Sequence, residues 1–348
     1  MSQNNILKTE RINTLDIAKG IAMILVVFAH VNYTPDILVL IYSFHMPLFF
    51  MISGMLFRKE KYSNIIQFLK RRIKTLIIPY LLFSLSALVY VYISERMFPG
   101  LFDISKVQYI GYFKQIFLAQ GSKPVLNTPL WFVLCLFAVE IMYYFISKLK
   151  ARFIVPVCFI LTGIGWILES GKIAFDNTIL PWTFDTALFA LGFYAIGNLS
   201  FGLVKNSIIK IKNHNNKTMI CLGIILLCAA FWLPATLING KVSLGSRVLH
   251  NGFLFYLTGI LGTIIILAIS VLLEKNKFLQ FCGRNSFSIM AVHYMIRKFT
   301  LPKYYALFGI AMYNRKELNE TIIPFLIILL TSLLFTKIYN KLKDFRKK

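Results

Sequence analysis

Long apolar runs separated by short basic or turn-rich breaks dominate the chain, and most of them are near the roughly 20 residues needed to cross a hydrocarbon core. The pattern predicts ten spans, at 15–33, 37–57, 75–93, 130–147, 153–169, 182–203, 218–237, 252–273, 286–305 and 321–340. The ninth is interrupted by Arg297, Lys298 and Pro302 and predicts a broken helix or a shorter span. Pro47 inside the second removes a backbone donor and frees the carbonyl of Ser43, so a kink is expected there. Between the second and third spans, Ile65, Ile66, Leu69, Ile73 and Leu76 recur at helical spacing beside Lys70, Arg71, Arg72 and Lys74. That pattern predicts an amphipathic helix at the membrane surface. A second interfacial helix is expected over residues 107–117 of the long connection 98–124.

Composition agrees with the pattern. Of 348 residues 57% are hydrophobic and only 15% charged, against about 25% charged in soluble domains. The fold class is therefore all-α, a polytopic integral membrane helix bundle of about ten helices. A tail (1–14), one membrane domain (15–340) and a basic tail (341–348) are expected. The net charge of +24 would suggest nucleic acid in a soluble protein; here it reads as topology. Outside the first span the basic residues divide 25 to 12 between the two sides, which predicts both termini in the cytoplasm and calls for no nucleic-acid partner. No small-residue cleavage pattern follows the first run, so the first helix is expected to be retained. The five cysteines lack metal or redox spacing and read as small buried hydrophobes, with no metal site expected.

Ionisable residues inside spans are costly and are the first candidates for function. The first span carries Asp16, Lys19 and His30. Asp16 and His30 lie roughly 21 Å apart along a helix and within about 40° around its axis, and Lys19 lies within about 20° of His30. One polar face could thus line a path from the surface to deep in the membrane; the plainer alternative is an anchor pair and a histidine bonded across the bundle. His45, two residues before Pro47, either repairs the kink or reaches a neighbouring helix or water. Arg71, Arg72 and Lys74 suit either anionic lipid or a phosphate-rich ligand. Trp131 is an interface anchor or a site residue, Glu140 is paired or functional, and His293 is packed by default behind a helix start at Ser286. Glycine-rich nucleotide motifs and zinc-protease motifs are absent.

The segments RINTLDIAKGIAMILVVFAH, FHMPLFFMISGMLF and RRIKTLIIPY, followed by LWFVLCLF, ALFALGFYAIGN and GRNSFSIMAVH, together resemble membrane acyltransferase family 3, specifically its fucose 4-O-acetylase-like branch. The resemblance runs over most of the chain. It implies that His30 is the catalytic residue, with Asp16 and Lys19 matching the family's first-turn aspartate and basic residue as catalytic support; His45 is a further candidate for support from its place beside Pro47. It places Arg11 and the motif Arg71-x-x-Lys74, with Arg72 beside it, at the acyl-CoA donor, the lysine departing from the family's usual arginine. Trp131, Glu140 and His293 fall to the acceptor side or to structure.

The implied reaction moves an acetyl group from cytoplasmic acetyl-CoA, a donor substrate rather than a resident cofactor, to a hydroxyl of a surface glycan or its lipid-linked precursor. The expected location is the plasma (inner) membrane, with the bilayer as a partner. The rival reading is a transporter of an acylated or anionic glycan precursor, against which the missing inverted repeat counts.

Overall fold

A computed structural model describes residues 12–31, 34–97, 106–118, 126–169, 180–246, 248–308 and 319–345. Among these residues fourteen α-helices run in chain order: α1 (Asn13–Val31), α2 (Pro35–Tyr42), α3 (His45–Leu56), α4 (Ile65–Arg72), α5 (Ile78–Met97), α6 (Lys106–Leu118), α7 (Trp131–Ile146), α8 (Ala151–Glu169), α9 (Phe184–Lys212), α10 (Lys217–Asn239), α11 (Gly252–Leu272), α12 (Lys277–Arg284), α13 (Ser286–Phe308) and α14 (Asn319–Phe345). Among the described residues there is no strand, only a single bridge between Ser243 and Val248 in the α10–α11 hairpin. Among the described residues, nine helical runs are long and apolar enough to cross a membrane. The fold is an all-α polytopic bundle.

Several expected boundaries move, each for a local reason. The second span is two helices: the chain breaks at Ser43 and Phe44, and α3 restarts two residues before Pro47. The polar groups at this break are satisfied by neighbours. Thr258 Oγ1 donates to the Ser43 carbonyl at 3.3 Å, Trp232 Nε1 donates to Ser43 Oγ at 3.1 Å, and the His45 imidazole bonds the Ile41 carbonyl at 2.8 Å.

The expected surface helix and the third span are one 33-residue run from Ile65 to Met97, about 50 Å long, so it overshoots the bilayer. A π-helical stretch, Ile73–Ile77, joins α4 to α5. Pro79 accounts for it: its ring clashes with the carbonyl four residues back, at Thr75, and the widened turn lets Ile78 N–H reach the Ile73 carbonyl instead.

The ninth expected span is not broken, but it is not one of the nine runs long and apolar enough to cross a membrane. α13 is a continuous helix of 23 residues, roughly 34 Å, although Arg297, Lys298 and Lys303 make it less apolar than the other nine. It packs against α1 and α14. α6 is tied to its surroundings by hydrogen bonds from Tyr80 to the Ile116 carbonyl and from Trp182 to the Phe117 carbonyl, 2.9 and 3.0 Å.

Glycines set two close helix crossings. A Cβ on Gly20 of α1 would come within 2.1 Å of the Leu279 carbonyl oxygen of α12, and one on Gly283 within 1.7 Å of the Asp16 oxygen. At α3–α9, Gly54 and Gly197 similarly face the Tyr194 and Met51 carbonyls. α1 is thereby pressed on α12, and it also packs against α3, α11, α13 and α14. At the same end of the bundle, Glu274 bridges Lys212 and Lys217 at 3.0 and 3.4 Å. The hydrogen bond from Lys212 is the main reason its carboxyl is held below the ordinary glutamate range.

Candidate active site

A cavity of about 600 Å³ runs between the helices of the bundle, within the size range of ligand sites. Its walls repeat at helical spacing on three helices: Lys19, Met23, Val26 and His30 of α1; His45, Phe49, Ile52 and Leu56 of α3; Ser286, Met290, Tyr294 and Arg297 of α13. Trp131, Phe132 and Leu136 of α7 close the fourth side. One end opens by Lys19, Ser53, Leu56 and Thr75 of the π-helical stretch. The other end lies under Lys241–Ser246 of the α10–α11 hairpin. The middle is apolar, and polar groups collect at the two ends and around His30.

His30 stands at the hinge between the apolar middle and the hairpin end. Its ring centroid is 5.1 Å from that of His293 and 5.6 Å from that of Tyr294. Arg297 Nε donates to the His30 backbone carbonyl, which is otherwise one of the unpaired carbonyls at the end of α1. His293 is fully buried, its Nδ1 bonds the Ile289 carbonyl at 3.0 Å, and its Nε2 has no hydrogen-bond partner among the described residues. A carbonyl only accepts, so Nδ1 carries the proton and a neutral His293 presents an Nε2 lone pair beside His30. The same logic fixes His45, whose Nδ1 donates to Ile41 and whose ring meets Tyr42 edge-on at 5.0 Å. His45 therefore both repairs the helix break and lines the cavity. Trp131 lies against the hairpin, where a Cβ on Gly245 would come within 2.6 Å of its Nε1.

The basic end is organised by two ion-paired groups. Asp16, 4% exposed, pairs with Lys19 at 3.0 Å and with Arg284 of α12 at 3.4 Å. Of these only Lys19 lines the cavity. Arg72 pairs with buried Glu140 of α7 at 2.8 Å and lies against the Phe68 and Tyr62 rings. Glu140 thus sits with the basic cluster. Arg71 and Lys74 are exposed beside the Thr75 mouth but do not line it. Arg11 lies outside the described residues.

The structure gathers Lys19, His30, His45 and Trp131 on one cavity, puts His293 directly behind His30, and leaves Asp16, Arg71, Arg72, Lys74 and Glu140 at the basic end. Sequence reasoning missed Tyr42, Tyr294, Arg297 and the hairpin. The one available signal was Arg297 itself, an arginine inside an apolar span three residues after a tyrosine. Among the described residues no three His, Cys, Asp or Glu side chains converge as a metal site.

A family model described as an acyltransferase domain matches residues 12–339. No curated protein and no solved structure matches the chain significantly. The chain belongs to the membrane acyltransferase 3 family, and the match does not favour a transporter.

Proposed function

We propose that this membrane acyltransferase is a sugar O-acetyltransferase of the fucose 4-O-acetylase-like kind, seated in the plasma (inner) membrane with both termini cytoplasmic. Acetyl-CoA enters at the basic end, with Arg71, Arg72 and Lys74 beside its phosphates and its acyl arm along the Lys19–Met23–Val26 face of α1. The acceptor hydroxyl, on a surface glycan or its lipid-linked precursor, arrives under the α10–α11 hairpin. The observation that carries this reading is a cavity whose lining runs from Lys19 and Thr75 past His30 to Lys241–Ser246.

In the reaction His30 accepts the hydroxyl proton as the oxygen attacks the thioester carbonyl carbon. The carbon–sulfur bond breaks, and the imidazolium returns the proton to the departing thiolate, leaving CoA and an acetyl ester. His293 is a positioning residue: its Nε2 can accept an N–H from His30 and so fix which ring nitrogen faces the substrate. Asp16 and Arg284 hold Lys19 and the start of α1. Arg297 holds its far end.

The test is acetyl transfer from radiolabelled acetyl-CoA in membranes containing wild type, His30→Ala or His30→Gln. Both variants should insert normally and lose activity by about 10²-fold or more. Near wild-type transfer by the glutamine variant would reduce His30 to a hydrogen-bonding residue and overturn the reading.

A further inference from the structure

Attack on a thioester moves an electron pair onto its carbonyl oxygen, and rapid transfer needs a hydrogen-bond donor held where that charge develops. Most groups around His30 can only accept. His293 and His45 give their Nδ1 protons to the Ile289 and Ile41 carbonyls, so each turns an Nε2 lone pair to its surroundings. The end of α1 offers carbonyls and no free N–H, and Arg297 is engaged there through its Nε on the His30 carbonyl. Tyr294 differs. It lines the cavity, and its ring meets the His30 ring edge-on, with centroids 5.6 Å apart and planes at 76°. The cationic heads of Arg297 and Lys298 lie against the same ring, each 5.4 Å from its centre. All of these contacts are made by the ring; among the described residues the Tyr294 hydroxyl makes no hydrogen bond. The other phenol of the cavity, Tyr42, sets its ring against His45 and 5.9 Å from the Lys241 ammonium instead.

We propose that Tyr294 is a second catalytic residue, the donor that stabilises the oxyanion of the tetrahedral intermediate. The inference rests on the acyltransfer reading of the same cavity and adds a residue to it. As the acceptor oxygen bonds to the thioester carbon, the carbonyl π pair moves onto its oxygen and His30 takes the hydroxyl proton. The Tyr294 O–H donates to the resulting oxyanion and keeps its own proton. The pair then returns to re-form the carbonyl, the carbon–sulfur bond breaks, and the thiolate takes the proton from the imidazolium. A ring fixed by its neighbours needs no reorganisation at the moment of reaction, and a donor at an apolar cavity wall is worth more than one in water. Met290, one turn before Tyr294 on that wall, helps to provide the apolar setting.

Full-length protein in detergent is assayed with radiolabelled acetyl-CoA, and membrane extract from source cells lacking the protein supplies the acceptor. Tyr294→Phe removes one oxygen and keeps the ring. It should lower kcat about 10²-fold and leave KM for acetyl-CoA within about twofold, as expected of an interaction made only in the transition state. 3-Fluorotyrosine placed at position 294 is a more acidic phenol and a stronger donor, and should match or exceed wild type at pH 7. That enzyme keeps the wild-type shape, so it decides the question even where Tyr294→Phe fails to accumulate: a rate well below wild type would overturn the inference. A near wild-type kcat for Tyr294→Phe, or a loss that falls on KM, would overturn it as well. Recovery of the Tyr294→Phe rate as more extract is added would do the same, by making the hydroxyl an acceptor-binding group. These results leave the role of His30 standing, whereas absence of acetyl transfer by wild type, or full transfer by His30→Ala, would overturn the acyltransfer reading and this inference with it.

Discussion

Arg72 and Glu140 meet across 68 positions of sequence, and neither residue's local pattern announces the other. The guanidinium belongs to a run of cations that suits lipid or phosphate; the carboxylate is a lone acid in an apolar span. Their 2.8 Å contact, with Glu140 side chain 4% and Arg72 19% exposed, makes each the other's solvation. Removing one partner of such a pair costs about 3–5 kcal/mol, because a buried charge is left uncompensated, whereas replacing both by apolar groups is often nearly neutral. Arg72→Leu and Glu140→Leu should therefore each destabilise the protein markedly, and the double variant should recover much of the loss in equilibrium unfolding. Acyl-CoA dependence should not recover with it: the double variant should still show a raised KM for acetyl-CoA. Recovery of both would mean that Arg72 serves the fold alone. By contrast, the polar stripe of α1 was legible from spacing, because residues 19, 23, 26 and 30 share a helical face whatever packs against it.

Helix crossings are where hydropathy stops being informative. The pattern of apolar runs located nearly every helix, yet it carried no sign that α12, only eight residues long, packs closely against α1. That contact depends on Gly20 and Gly283, whose missing side chains let two backbones approach. An alanine at Gly283 would put its Cβ against the Asp16 carbonyl, and backbone cannot rotate away as a side chain can. Gly283→Ala should cost about 1–3 kcal/mol by overpacking and shift Asp16 away from Lys19. Gly223→Ala in α10, where a Cβ meets nothing within 4 Å, should be neutral or slightly stabilising, since it removes only the entropy cost of a helical glycine. Thermal unfolding of the two variants side by side checks the contrast; similar effects would mean that the α1–α12 crossing is loose. The π-helical stretch before Pro79 was half visible in the same way. The proline was in the sequence, but whether a helix breaks or widens at it depends on what the neighbours hold in place.

At the scale of the whole molecule, the proposed mechanism needs two mouths on opposite sides of the membrane and one cavity between them. The proposed direction rests on the basic-residue asymmetry of the sequence, 25 to 12 in favour of the side bearing Arg71 and Arg72, while the cavity itself arises from four helix faces that no linear pattern brings together. The two mouths are represented by Thr75 and Ser246, both exposed and both lining the cavity. In intact cells, with the half-buried Cys228 replaced by alanine, a membrane-impermeant maleimide should label Ser246→Cys from outside and should label Thr75→Cys only after permeabilisation. Acetyl-CoA should then slow labelling at Thr75→Cys several-fold, because its bulky end occupies that mouth. It should leave Ser246→Cys unaffected, because only the short acyl arm extends past Met23 and Val26 toward His30. Labelling of Thr75→Cys in sealed cells would invert the orientation. Equal protection at both mouths would mean that the donor fills the cavity, leaving the acceptor no path to His30 from the hairpin side, and transfer would then require an acylated imidazole that waits for the donor to leave.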